Sequence, residues 1–246
     1  PITMDMQLDS IKLKLKQLKE LDRNLTLFGA HRHKYKLNPI LSEDKIRHFE
    51  ETYRVTLPIE YVVFFTKIGN GGAGPFLGLE PFDNALFDDL DYKRPDSSLN
   101  PSKPFVHIEP WNLEFTTTID EEENEIEYEK EYSMFEEQYF GKEQMNGVIA
   151  ICNYGCGVSL NLVVNGQEYG NIWTDDRASD GGIYPSMELG NKEKFKFLDW
   201  YELWLYNSLE EITNKIAATP IMPQPIKTEQ KNKTKIESKP WWKFWA

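Results

Sequence analysis

The amino-acid sequence predicts an α+β fold: a mainly antiparallel sheet with a C-terminal meander, packed by several helices. Three observations carry that expectation. Met4, Leu8, Ile11, Leu15 and Leu18 recur at helical spacing near the start of the chain, and Phe197, Trp200, Tyr201, Trp204, Leu205 and Leu209 do so near position 200. Between them, residues 147–174 are dense in β-formers broken by glycine-containing turns. The 246 residues are enough to bury a core without disulfide or metal staples.

Taken in order, the first helix has one apolar face, with Lys12, Lys14, Lys16 and Lys19 off it. It is too short to define a coiled coil. A second helix is expected over 42–53, with Ser42 as N-cap, Glu43 and Asp44 at the positive end of the dipole, and Ile46, Phe49 and Tyr53 as the buried stripe. A third starts with Pro58 in the first helical position and buries Tyr61, Phe64, Phe65 and Ile68. Gly69 is expected to end it in a left-handed conformation. Residues 84–90 read as a short helix and 105–108 as a strand, with Pro95, Pro101 and Pro104 marking the loop between them. The Glu-dense stretch 119–139 reads as a solvated helix or insertion. Residues 147–152 and 156–164 read as strands joined by Asn153-Tyr154-Gly155. Asn165-Gly166 is a two-residue hairpin signal leading to a return strand over 168–174, which makes a three-stranded meander. The last helix is expected over 194–216.

This gives three parts. Residues 1–36 form an amphipathic helix and connector, 37–218 the α+β domain, and 219–246 a basic, Pro- and Lys-rich linker, expected to be disordered, that ends in Trp241, Trp242 and Trp245. No run reaches the roughly 18 apolar residues of a membrane span. The N-terminal stretch has no secretory h-region. Two cysteines, Cys152 and Cys156, are no disulfide framework, so a reducing, cytoplasmic setting is expected. The net charge is −12, and the tail from Pro220 is basic, so the body is more acidic still. Such a body repels a phosphate backbone, which argues against nucleic acid as partner. It attracts a basic protein.

Gly69-Asn70-Gly71-Gly72-Ala73-Gly74 matches G-x-G-x-x-G, yet a helix precedes it and Pro75 follows. A dinucleotide loop needs a strand before and a helix after, so the stretch reads as backbone punctuation. The cysteines and the scattered histidines do not make a four-ligand zinc set. No cofactor, metal or catalytic residue is expected. Asp175, Asp176 and Asp180 around Arg177 suit either a divalent-metal or acid–base site or a hydrogen-bonded loop. The Trp-rich tail suits a membrane contact, a peptide docking motif or a segment folded back on the domain.

Several segments together resemble the SUKH superfamily, which contains a yeast cell-wall synthesis regulator and many bacterial immunity proteins. They are Leu57-Pro58 with Tyr61 and Phe64-Phe65, then Ile68 to Pro75 with Gly78-Leu79, then Asn153 to Gly157, Val164-Asn165-Gly166, Gly170 to Trp173 running into Asp175 to Pro185, and Phe197 to Leu205. The resemblance covers about 37–216. It implies an α+β domain without catalysis that binds a cognate toxin, often a nuclease, in the cytoplasm. It assigns fold-defining roles to Gly69, Asn70, Gly71, Gly72, Gly74, Pro75, Trp173, Asp175, Asp180, Gly182, Pro185 and Trp200. The expectation is therefore an immunity protein for a basic toxin. Candidate contacts are Asp88, Asp89, Asp91, Glu121, Glu122 and Glu123, together with the Trp241, Trp242 and Trp245 tail. The alternatives are a non-enzymatic scaffold or regulator at the cell envelope, docked through the tail, and an enzyme using the Asp175–Asp180 loop.

Overall fold

The computed structural model describes residues 3–94 and 98–218. It is an α+β fold with six α-helices among these residues: α1 (Met4–Leu21), α2 (Ala30–His33), α3 (Glu43–Tyr53), α4 (Ile59–Lys67), α5 (Glu125–Tyr139) and α6 (Phe197–Ala218). The sheet is a four-stranded antiparallel meander of β1 (Val148–Gly155), β2 (Val158–Val163), β3 (Ile172–Asp176) and β4 (Gly182–Pro185), in that order. Ile149 pairs with Leu162, Leu160 with Thr174, and Trp173 with Pro185.

Side chains alternate across a strand, and here both faces are covered. Ile149, Ile151, Leu160, Leu162 and Ile172 point into a large core built with α1, α3, α4 and α6. Val148, Ala150, Trp173 and Ile183 point into a smaller one with Leu90, Leu99, Phe105 and Met145. This explains why β1 opens on a continuous apolar run from Val148 to Cys152, a pattern that marks strands buried on both sides, while β2 buries the polar Ser159 and Asn161 between its apolar residues.

The helices follow their periodicity. Leu8, Ile11, Leu15 and Leu18 of α1 pack on α6, and each such burial is worth about 1.5–3 kcal/mol. The first helix thus shares the main core with the residues that follow position 37. Lys14, Ser10 and Gln7 of α1 all bond Glu202 of α6, at 2.8 Å for Ser10 and 3.2 Å for Gln7. Asp22, buried just after α1, accepts the Tyr35 hydroxyl at 2.6 Å and the Thr26 amide at 2.7 Å. Burial raises its pKa, but these bonds outweigh that and lower it. Ser42 caps α3 through the Lys45 amide, and Tyr61, Phe64 and Phe65 of α4 are buried against Phe197 and Tyr201 of α6.

Several local expectations are corrected. Gly69 is not left-handed. Ile68 ends α4, and the positive φ values fall at Gly71 (76°) and Gly72 (104°). Gly69 needs to be small instead, because a Cβ there would sit 2.8 Å from that of Leu37. Residues 84–90 form no α-helix. A 3-10 turn covers Phe82–Asn84, and Asn84 bonds Glu80 while Asp89 caps its own loop. The 105–108 stretch contributes one bridge, Phe105 to Gly166. The β1–β2 turn lies at Cys156-Gly157, two residues later than expected, with φ of 56° and 78°. Asn165-Gly166 is no tight hairpin: the Asn165 side chain bonds the carbonyls of Pro101 and Ser102, Gly166 lies against the Phe105 backbone, and the chain re-enters the sheet at Ile172. The return strand is accordingly Ile172–Asp176. A fourth strand, Gly182–Pro185, completes the meander, where a loop was expected.

Candidate interaction site

The glycine-rich stretch spends its polar groups on its own fold. The amide of Gly72 donates to Leu79 O (2.8 Å) and Leu79 N returns the bond to Gly72 O (2.9 Å). The Ala73 amide donates to Lys36 O and the Asn70 amide to Pro39 O. Asn70 Oδ1 accepts from the Phe82 amide at 2.8 Å. Bridges therefore run from Leu37 through Gly72 and Leu79 to Cys152 of β1. A Cβ at Gly72 would come within 2.4 Å of Lys36 O, so only glycine lets these backbones laminate. Gly74 and Pro75 are buried beside the same bridges. A phosphate cradle presents free amides; the amides named here are used internally.

The largest concentration of charge lies elsewhere. Between 109 and 143 there are thirteen acidic and two basic residues, a net of −11 against −12 for the whole chain. These residues form an arm made of an extended segment and α5. Tyr128, Tyr132 and Phe135 of α5 pack around Phe115, with ring centroids 5.6, 5.2 and 5.5 Å away. Tyr139 is the one buried residue of the helix. The arm leaves Ile126 and Met134 83% and 62% exposed among its carboxylates. Glu121, Glu122 and Glu123 are exposed in the turn before α5, and their carboxylates have no partner among the described residues. Negative charge at this end of α5 is favoured by the helix dipole.

The Asp175–Pro185 segment is the socket that holds this arm. Asp175 pairs with Arg177 in two bonds of 2.8 and 2.7 Å, with the two side chains only 14% and 10% exposed. Arg177 then donates to Tyr139 O (2.9 Å) and Gly141 O (3.2 Å), placing a cation on the C-terminal carbonyls of α5. Asn112 accepts the Tyr139 hydroxyl and donates to Asp180 O, both at 2.8 Å. Burial first, then the Asp180 charge, raises the Tyr139 pKa. Trp111 exchanges two 2.7 Å backbone bonds with Ile183 at the sheet edge. Gly182 permits this, since a Cβ there would lie 2.3 Å from Trp111 O. Trp173 is fully buried with Phe105 edge-on at 5.0 Å, its indole N–H donates to Glu168, and Lys194 stands over its ring. Pro185 pairs with it across the sheet. Trp200 is buried in the large core.

The other candidate contacts divide. Asp91 accepts from Asn153 Nδ2 (2.7 Å) and the Gly157 amide (2.8 Å), which stitches its loop to the β1–β2 turn. The Asn153 bond, then the Gly157 amide, holds its carboxyl below the ordinary range. Asp89 caps the amides of Asp91 and Tyr92, and Asp88 is half-buried beside it. Asp89 and Asp91 shape a loop, while Glu121–Glu123 face solvent. Trp241, Trp242 and Trp245 lie outside the described residues. Arg177 is legible in the sequence as the partner of its Asp-rich loop, whereas Asn112, Tyr139 and Phe115 are not legible as site residues. The 4-3-4 spacing of Tyr128, Tyr132, Phe135 and Tyr139 was the available signal, masked by the surrounding glutamates.

No helix among the described residues is long and apolar enough to cross a membrane. Comparison with family models, with curated proteins and with solved structures gave no match.

Proposed function

We propose that this protein is a cytoplasmic immunity protein that neutralises a basic bacterial toxin by direct, stoichiometric binding, with the acidic arm as its contact surface. The observation that carries the reading is the arm itself: a net charge of −11 on one helix and its flanking segments, with Ile126 and Met134 exposed among the carboxylates. A nuclease grips phosphate with a basic surface, and an acidic protein can occupy that surface. Charge then speeds encounter and the exposed apolar groups supply contact area. A non-catalytic reading is supported by Asp175, which spends both oxygens on Arg177.

The test is co-expression with the toxin encoded beside the gene. Protection is expected from the intact chain. It is expected to fail when Glu121, Glu122, Glu123 and Glu125 are changed together to Gln, while circular dichroism shows the variant still folded. The association rate should also fall steeply with salt. No protection by the intact chain, or full protection by the quadruple variant, overturns the reading.

A further inference from the structure

A second site lies on the opposite face of β3. Alternation sends Asp175 toward the arm and Asp176 the other way, into a cavity of about 380 Å³ beside the β1–β2 turn. Its walls include Phe28 from the loop before α2, Tyr154 of β1 and Tyr184 of β4, with Asp176 and Glu188 contributing carboxylates. Phe28 and Tyr154 are 65% and 40% exposed, so they form an open aromatic lip. Phe76 props the Tyr154 ring from behind at 4.5 Å.

The polar groups here are incompletely matched. Asp176 Oδ2 accepts the Tyr184 hydroxyl at 3.2 Å, while its Oδ1 is shielded from water and has no hydrogen-bond partner. Glu188 accepts hydroxyls from Thr174 and Ser186. Neither carboxylate is in an ion pair among the described residues. Burial first, and then the charges of Glu188 and Asp176, pushes the Tyr184 hydroxyl pKa up, so both charges bear on the same point. Both carboxylates line the one cavity, so a cation bound there would be attracted by both. No group of three His, Cys, Asp or Glu side chains converges to hold a metal ion among the described residues. Aromatic faces beside carboxylates suit instead a weakly hydrated organic cation with a carbon stem.

We propose that this cavity binds an organic cation, a guanidinium or alkylammonium group, with its charge at Asp176 and Glu188 and its stem against Tyr154 and Phe28. The site is separate from the arm and stands whether or not the arm binds a toxin. The group is carried either by a free small molecule or by an arginine or lysine side chain of a protein.

The experiment is an NMR titration of the full ¹⁵N-labelled chain with n-butylguanidinium and with the blocked peptide acetyl-Gly-Arg-Gly-amide. Neutral n-butylurea serves as the isosteric control. Saturable shifts are expected at Tyr154, Gly155 and Tyr184, at least tenfold weaker with the urea. They should be lost in the Asp176→Asn, Glu188→Gln double variant. Tyr154→Ala leaves both carboxylates and their bonds in place, and it should weaken binding severalfold even if the double variant fails to fold. A response to the peptide equal to or stronger than that to the free cation assigns the site to a protein side chain. A response to the free cation alone assigns it to a small molecule. Silence from both probes, an equal response to the urea, or unchanged binding in Tyr154→Ala overturns the proposal.

Discussion

The two faces of the sheet are held in different ways. One is covered by four helices whose apolar faces share a single large core with Ile149, Ile151, Leu160 and Leu162. The other has a small core around Trp173, and beyond it the arm is attached through a few polar contacts centred on Arg177. Packing on the first face is distributed, so stability there is shared among many side chains. The arm is anchored by Trp111, which packs on the small core and stacks on the buried Tyr139, and by the Asp175–Arg177 pair, one asparagine and two backbone bonds to Ile183. Regions with few buried apolar contacts open at lower free energy than the core. A charged surface kept outside the core can therefore vary in sequence or loosen without unfolding the domain.

The sharpest way to break this contrast is to attack what both faces share. Gly72→Ala should cost more than about 3 kcal/mol, because φ is 104° and a Cβ meets Lys36 O at 2.4 Å. Chemical denaturation should show both faces losing stability together. Arg177→Ala should come next, at about 3 kcal/mol, since it strands the largely covered Asp175 carboxylate and the α5 carbonyls. Hydrogen exchange should rise in α5 and around Trp111 while α1 and α6 stay protected. Uniform exchange throughout would mean that the two regions form one cooperative unit.

Acid offers a test of both cores. His33 is buried in contact with Tyr35 and Trp204, and burial, then the neighbouring His31, lowers its pKa to about 4. His107, between Phe105 and Trp111, is lowered chiefly by burial, with Gln144 and Asp175 opposing and Arg177 adding to the shift. Burial thus favours the neutral form of both. Their contribution is fully present above pH about 6.5 and is lost as pH falls below it, for His33 down to about 4. Unfolding midpoints should drop across that window, and His33→Gln should flatten the slope. Asp91→Ala should be milder, about 1 kcal/mol, and confined to the β1–β2 turn and its partner loop. The smallest effect on stability, within about 0.5 kcal/mol, is expected for Ile126→Ser with Met134→Ser, because both side chains project into solvent. Differential scanning calorimetry would detect a larger change, which would place these residues in an internal contact.

Much of the helical half was legible in the chain. The spacing of Leu8, Ile11, Leu15 and Leu18, the Ser42 cap and the aromatic face of α6 each depend on neighbours within a few residues, so local pattern suffices. The candidate site was half legible. The Glu-rich stretch was visible as charge, but the same reasoning grouped Asp91 with it, and Asp91 is bound to Asn153 and Gly157, more than sixty positions away. Asn165-Gly166 misled for a related reason. Its local preference for a tight hairpin was overridden by bonds to Pro101 and Ser102 and by the close approach of Phe105.

By itself, then, the sequence determined the α+β class, the buried faces of the principal helices and the place where negative charge gathers, because periodicity and composition are properties of short windows. The tertiary structure alone decided that the sheet has four strands, that Gly72 joins backbones from three segments, and that Asp175 and Arg177 serve as a socket for α5. Those features arise from hydrogen bonds and steric clearance between residues distant in the chain, and such contacts leave no local pattern to read.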